Sequence, residues 1–230
     1  MATTGTYSFN PSLGEIGLYA FNRCGVRNTA LVQEHMESLR MAANLVCMDF
    51  SNKGVNLWQV ELVTQPLTAG VATYAVDPSI VVILDAYITV ANGDGTTTDR
   101  IILPVSRSEY ASYPNKAQQG YPTTYWMDRL LNPSVTLWLV PDGSQASLNY
   151  YAAQQIQDAS LTNGAQVDVP AVWMKAFTDA LSAELALTWA PDRYGVLSAV
   201  ADKSYAAAAT QNEEIAQWYV SPIVAGYWRA

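Results

Sequence analysis

One histidine and two cysteines are all that this 230-residue sequence offers to the commonest catalytic and metal-binding chemistries. With His35 as the only imidazole, histidine-built metal sites are excluded, and any Ser–His–Asp or Cys–His centre would have to use that one residue. His35 lies on a helical stretch flanked by Glu34 and Glu37, where a lone histidine packs or faces solvent far more often than it ligates metal. Cys24 and Cys47 fall in separate helical stretches and read as reduced, buried, small hydrophobes. Neither cysteine nor any serine sits in a nucleophile-elbow sequence. No glycine-rich phosphate loop is present: Asn92-Gly93-Asp94-Gly95 lacks a following Lys-Ser/Thr and does not open a helix. No cofactor, metal or enzymatic role is therefore expected.

Charge is also scarce. Only 14% of residues are charged, against about 25% in ordinary globular domains. The net charge is −8, the pI is near 4.5, and lysine and arginine nowhere cluster. Tight nucleic-acid binding by phosphate neutralisation is excluded on that ground. No apolar run approaches the roughly 18 residues of a membrane span. Met1 to Asn10 has neither the basic nor the apolar part of a secretion signal.

What the chain does have is apolar surface and amphipathic rings. Half of its residues are apolar, and seven tryptophans and fourteen tyrosines accompany four phenylalanines. Rings with one wet end suit interfaces, though a tyrosine-rich β core would use them equally. The first quarter reads as two helices. Ser12 to Glu15 forms a capping box, Ile16, Tyr19, Ala20 and Cys24 make an apolar stripe, and Gly25 is placed to end the helix. Gly14 and Gly17 weaken it unless close packing requires them. In the second helix Val32, Met36, Leu39, Ala43, Val46 and Phe50 share a face, and Gly54 closes it. From Leu57 to about Gln155 the period becomes two. Val82, Leu84, Ala86, Ile88 and Val90 alternate, Asn92 to Gly95 marks a hairpin turn, and Pro104 implies an edge position. Val135–Val140 and Ser147–Gln155 are expected to pair across Pro141-Asp142-Gly143. Helical period returns after Pro170, with Trp173, Phe177, Leu181, Leu185 and Trp189 on every fourth residue. Pro191 restarts a last helix to about Trp218, with Leu197, Ala201, Tyr205 and Ala208 inward.

No helix can bury its stripe alone. The expected fold is therefore α+β: a four-helix bundle from both chain ends with an inserted antiparallel β-domain and an extended C-terminal arm. The divisions fall at 1–55 and 168–218 for the two halves of the bundle, 56–167 for the β-domain and 219–230 for the arm.

Between two strands lies "SRSEYASYPNKAQQGYPTTYW", Ser106 to Trp126. Ser106 to Glu109 is a second capping box, opening a helical turn that carries Tyr110. Tyr113 leads into the turn at Pro114, Gly120 allows an unusual backbone angle, and Pro122 holds Tyr121 extended. Every special residue here builds shape. The one enzymatic alternative is a glycosidase, which needs two carboxylates about 5–10 Å apart with stacking aromatics. Glu109 and Asp128 are the candidates, although Glu109 already has a capping role. A carbohydrate-binding module using the same rings is the non-catalytic alternative.

The order of these segments is similar to that of the head-to-tail adaptor, or connector, proteins of tailed bacteriophages, in particular those like tail tubular protein A. The carriers are two N-terminal helices ending near Leu57-Trp58, "GVATYAVDPSIVVI" from Gly70, the tyrosine-rich loop, "VTLWLVP" from Val135, and "VDVPAVWMKAFTDALSAELALTW" from Val167. The resemblance implies a homo-oligomeric ring, commonly of twelve copies, made in the host cytoplasm and placed at the head–tail junction of the virion. Such a ring sits beneath the portal protein, seals or extends the DNA channel, and offers a platform to a downstream tail or nozzle protein. It has no membrane contact, and DNA passes without specific binding. Under that reading the aperiodic arm docks on the portal or a neighbour through Trp218, Tyr219, Val220, Pro222, Ile223, Tyr227 and Trp228. Tyr110, Tyr113, Pro114, Gly120, Tyr121 and Pro122 shape a contact loop.

Overall fold

Ser12 opens the first helix as its hydroxyl dictates. In the computed structural model, which describes residues 5, 9–54, 56–162 and 164–212, the Ser12 hydroxyl accepts from the Glu15 amide at 3.3 Å. The Glu15 carboxylate accepts from the Ser12 amide at 2.8 Å. Helix α1 (Leu13–Cys24) ends at Gly25, which takes the left-handed φ of 88° that a side chain would resist. Helix α2 (Gln33–Asn52) follows with Val32 at its cap, a residue with no side-chain acceptor. His35 Nδ1 serves instead, accepting from the Val32 amide at 3.3 Å. The buried imidazole stacks on Trp189 with centroids 3.9 Å apart and meets the edge of Phe21 at 5.3 Å. The lone histidine is thus a packing residue that ties three helices together.

A six-residue helix, α3 (Arg107–Ser112), lies within the β-region. The last described helices form the hairpin α4 (Met174–Trp189) and α5 (Pro191–Ala209), joined by Ala190 alone. Helix α4 is buried on nearly every side: Phe177, Leu181 and Leu185 on its large stripe, and Ala176, Ser182 and Ala186 elsewhere around it. It runs against α1, α2 and α5. The four long helices share one apolar cluster, joined by Ile156, Ala159, Val167 and Val169 from the segment that leads into α4. Three expected details change. Tyr19 lies outside the stripe, 59% exposed, because Leu13, Gly17 and Phe21 fill the buried face of α1. Val32 precedes α2 and is exposed. Helix α5 stops at Ala209, where residues 210–212 tighten into a turn held by amide bonds to Ala206, Ala208 and Ala209.

Nine strands are found among the described residues: β1 (Val60–Pro66), β2 (Thr73–Ala75), β3 (Ile80–Ala91), β4 (Thr97–Pro104), β5 (Gln119–Gly120), β6 (Thr124–Asp128), β7 (Ser134–Trp138), β8 (Val140–Pro141) and β9 (Gln145–Gln154). Seven form one curled sheet in the order β1-β9-β3-β4-β6-β7-β2, and β5 pairs with β8. The curl brings the two edge strands together, so that Gln65 Nε2 on β1 donates to the Ala75 carbonyl on β2 at 3.2 Å. Tyr74, Ile88, Tyr125, Leu137, Leu148 and Tyr150 are among the side chains filling the interior.

Several strand expectations need correction. The sheet is mixed, because β4 and β6 run parallel at Leu103–Thr124 and Pro104–Tyr125. Strand β7 pairs with β2 and β6, whereas β9 inserts between β1 and β3. The Pro141-Asp142-Gly143 turn sets direction but not partner, and the fully apolar inner face of β9 demands a central place. The alternation in β3 switches face at register shifts, so Ile83 is buried while Val82 and Leu84 are half-buried. Pro104 is on an interior strand, but its missing N–H falls on the side where β3 pairing has already ended at Ile102. The Leu57–Gln59 segment is a 3-10 turn before β1, and Trp58 packs on Trp173 at 5.0 Å.

Gly17 tests the helical packing. A Cβ there would lie 2.2 Å from Leu39 Cδ2, and Leu39 is fully buried. Alanine favours helix by about 1 kcal/mol over glycine, but overpacking a core costs about 1–3 kcal/mol. Gly17→Ala is expected to lower the denaturant midpoint despite the better propensity, and the same substitution made in a Leu39→Ala background should cost less, or stabilise, relative to Leu39→Ala alone.

Candidate functional site

The Ser106–Pro122 excursion is built on one hydroxyl, four rings and a tight glycine. Ser106 Oγ accepts from the Glu109 amide at 3.1 Å, which starts α3, but the reciprocal Glu109 bond of a full capping box is missing. Tyr110 stacks on Trp126 of β6 at 5.5 Å and Tyr113 on Trp138 of β7 at 4.2 Å. The two tyrosines meet edge to face at 6.1 Å. Trp138 Nε1 donates to the Asn115 carbonyl at 3.1 Å, closing the loop onto the sheet. Lys116 caps the end of α3 by donating to the Ala111 and Tyr113 carbonyls, with its ammonium 5.8 Å from the Tyr110 ring.

The second half of the loop is held differently. Tyr121 donates its hydroxyl proton to the Ile88 carbonyl at 3.3 Å and carries the Arg100 guanidinium 4.5 Å above its ring. Burial pushes the Tyr121 phenol above its ordinary pKa, against the smaller opposing pull of Arg100. Pro122 is buried and Pro114 exposed. Gly120 does not have a positive φ, contrary to expectation. Its requirement is space: a Cβ would stand 2.9 Å from Leu139 Cδ1, in the β5–β8 pair. The structure therefore brings Tyr110 and Tyr113 together on the β6–β7 face and places Tyr121 separately against β3 and β4.

Glu109 is exposed on α3, and Asp128 ends β6 half-buried opposite Ser134. Neither lines any of the four principal cavities among the described residues. Both cysteines are free thiols buried in the helical core, and burial pushes Cys47 up to about 12. The docking residues proposed for the arm, Trp218 to Trp228, lie outside the described residues. The described residues end at Asn212, whose Oδ1 accepts from the Leu57 amide at 3.0 Å, beside the start of β1.

A second feature carried no sequence signal. Asp179 on α4 is buried, yet it is charged and paired with Arg23 of α1 and Lys175 one turn earlier. Burial alone would raise its pKa, but hydrogen bonds from Lys175, Arg23 and Ser204 outweigh that and hold it below the ordinary carboxylate range. This cluster floors a groove of about 700 Å³ walled by Phe9, Tyr19, Met174 and Val200. Arg23 and Asp179 are 156 residues apart, so only folding reveals the pair.

The described residues thus form a helical core and a curled sheet that carries a braced loop. A family model described as SU10 adaptor protein matches residues 29–225. The chain belongs to that family, the structural head–tail adaptors of bacteriophage, and so is a virion component of the head–tail junction that associates with portal and tail. Among individual curated proteins none matches the chain.

Two outcomes follow for these side chains. Asp179→Asn leaves Arg23 half-compensated and should cost roughly 2 kcal/mol at neutral pH, below the usual loss for a broken buried pair because Lys175 is solvent-exposed. A depressed carboxyl stabilises above its unfolded pKa and loses that contribution as pH falls through its folded value. The gap between wild type and variant in urea titrations should therefore close below about pH 4. Tyr113→Ala removes one stack of the ladder and should expose the 106–122 segment to limited proteolysis while leaving the global unfolding midpoint within about 1 kcal/mol.

Proposed function

We propose that this chain is the ring-forming subunit of a head-to-tail adaptor. About a dozen copies dock beneath the portal vertex, extend or seal the DNA channel, and present the platform on which a tail or nozzle protein assembles. The observation that carries this reading is the family match over residues 29–225, which takes in α2, the whole sheet, the braced loop and the terminal hairpin. The match also reaches well into the apolar C-terminal segment. The C-terminal arm, residues 219–230, would dock on the portal or a neighbouring copy, with Trp218, Tyr219, Val220, Pro222, Ile223, Tyr227 and Trp228 as the anchors. The Tyr110–Pro122 loop suits a contact surface because its rings are already immobilised against the sheet, which lowers the ordering cost of binding.

The charge fits the same role. At −8 per subunit a ring of twelve carries about −96 around its channel, a sign that repels DNA and allows it to slide. The carbohydrate-binding alternative is less well supported: the half-buried rings of Tyr110 and Tyr113 stack on the chain's own tryptophans rather than standing free. Deletion of residues 219–230 tests the arm. The truncated chain should stay folded by circular dichroism and lose co-sedimentation with portal rings. Retained co-sedimentation would remove the arm from the mechanism.

A further inference from the structure

The helical bundle carries two exposed apolar features of opposite shape. On α2, Met41, Leu45 and Met48 recur at spacings of four and three and are 59%, 45% and 56% exposed. Leu39, Ala43, Val46 and Phe50 make the core face of the same helix. At about 100° per residue the exposed row points almost directly away from that face, so α2 is apolar on two opposite sides. The segment after β9 borders the row through Asn44, which exchanges hydrogen bonds with Ala159, and leaves it open. Contiguous apolar surface of this kind marks interaction sites.

The concave counterpart is the groove of about 700 Å³ between α1, α4 and α5. Of its apolar walls, Phe9 is 72% exposed and Tyr19 is 59% exposed. The α1 wall runs from Glu15 to Arg23, roughly 12 Å, and the α2 row from Met41 to Met48 is roughly 10 Å long.

Ridge and groove lie on opposite sides of the bundle. At the level of the groove, α2 meets α4 through Phe50, whose ring packs on Trp173 and Phe177. Those two residues point roughly 150° around α4 from Met174, Lys175, Thr178 and Asp179, which face the groove. The Met41–Met48 row is on the outer side of α2, one helix further away still.

Charge matches as well. Asp179 is engaged inside by Arg23, so the exposed cation at the groove is Lys175, whose side chain is 73% exposed. Glu15, also at the groove, is held by Ser12. The α2 row continues at its N-terminal end into exposed Glu37, four residues before Met41, with Glu34 beyond it. Arg40 lies about 100° off the row.

We propose that the Met41–Leu45–Met48 ridge of one copy seats in the α1–α4–α5 groove of the next, with Glu37 towards Lys175. This rests on the ring reading above and names the contact that would build the ring. Ridges seated in grooves are how helices ordinarily pack. The occupant is a second copy because one chain carries both halves of the contact, on opposite sides, with matching length and charge. A rotation that brings ridge to groove once does so at every subunit, the head-to-tail contact from which rings close. Ridge against ridge would stop at a dimer and leave both grooves empty.

The test is a Tyr19→Cys, Leu45→Cys chain treated with a short bis-maleimide, alone and with portal rings. Both positions are exposed, and the native thiols Cys24 and Cys47 are buried. The double variant should give a ladder of covalent oligomers, and each single variant none. A multi-copy assembly seen by mass without a ladder overturns the ridge-and-groove contact and leaves the ring reading standing. Dimers from Leu45→Cys alone mean two-fold pairing of ridges and equally overturn it. A chain that forms no assembly in either condition sinks both readings.

An independent check uses charge. In whichever condition the wild type assembles, Leu45→Glu and Tyr19→Glu should each abolish the assembly with circular dichroism unchanged. Mixed in equal amounts, the two variants should form a complex of two chains and nothing larger, because one intact ridge then meets one intact groove. A mixture that stays monomeric or assembles further overturns the proposal. So does an assembly that survives Tyr19→Glu, which would mean that the groove seats a terminus of the chain or the portal instead.

Discussion

The burial of α4 is the constraint on which the rest of the molecule depends. A helix apolar on nearly all sides cannot rest on one neighbour. It is covered by α5 from the same hairpin and by α1 and α2 from the opposite end of the chain. The polypeptide must therefore return to its own beginning after the sheet, and Ile156, Ala159, Val167 and Val169 join the helical cluster on the way. The same closure explains why a carboxylate survives inside. Asp179 faces α1 where Arg23 can reach it, so the cost of desolvation is met by a partner delivered from the far end of the sequence.

The curled sheet follows from a different balance. Its inner face is a closed apolar cluster, and its two end strands approach each other, with Gln65 of β1 reaching across to the Ala75 carbonyl on β2. The Ser106–Pro122 loop is fixed by ring stacking instead. Its rings are already spent on Trp126 and Trp138, so any partner meets a surface with little left to order.

Much of this was legible in one dimension wherever a local cause sufficed. The Ser12–Glu15 box, the Gly25 terminus, the Asn92–Gly95 hairpin and the helical stripes of α2 and α4 are each set by residues a few positions apart. The shaping role of the 106–122 loop was visible in its prolines and Ser106, although Gly120 is required by Leu139 rather than by its own backbone angle. Misreadings arose where a strand chooses among partners. The turn at Asp142–Gly143 reads as a hairpin, yet β9 goes to β1 and β3, because its burial is satisfied only in the middle of the sheet.

The sequence alone determined the periodicities, the caps and the acidic sign, since each is a property of composition or of neighbours within a turn or two. Tertiary structure alone decided the parallel β4–β6 junction, the three-helix contact of His35, the Arg23–Asp179 pair and the approach of β1 to β2. These depend on which distant segments share a core, and no local pattern carries that information: apolar side chains attract without regard to partner, and only close packing of the whole chain selects one arrangement.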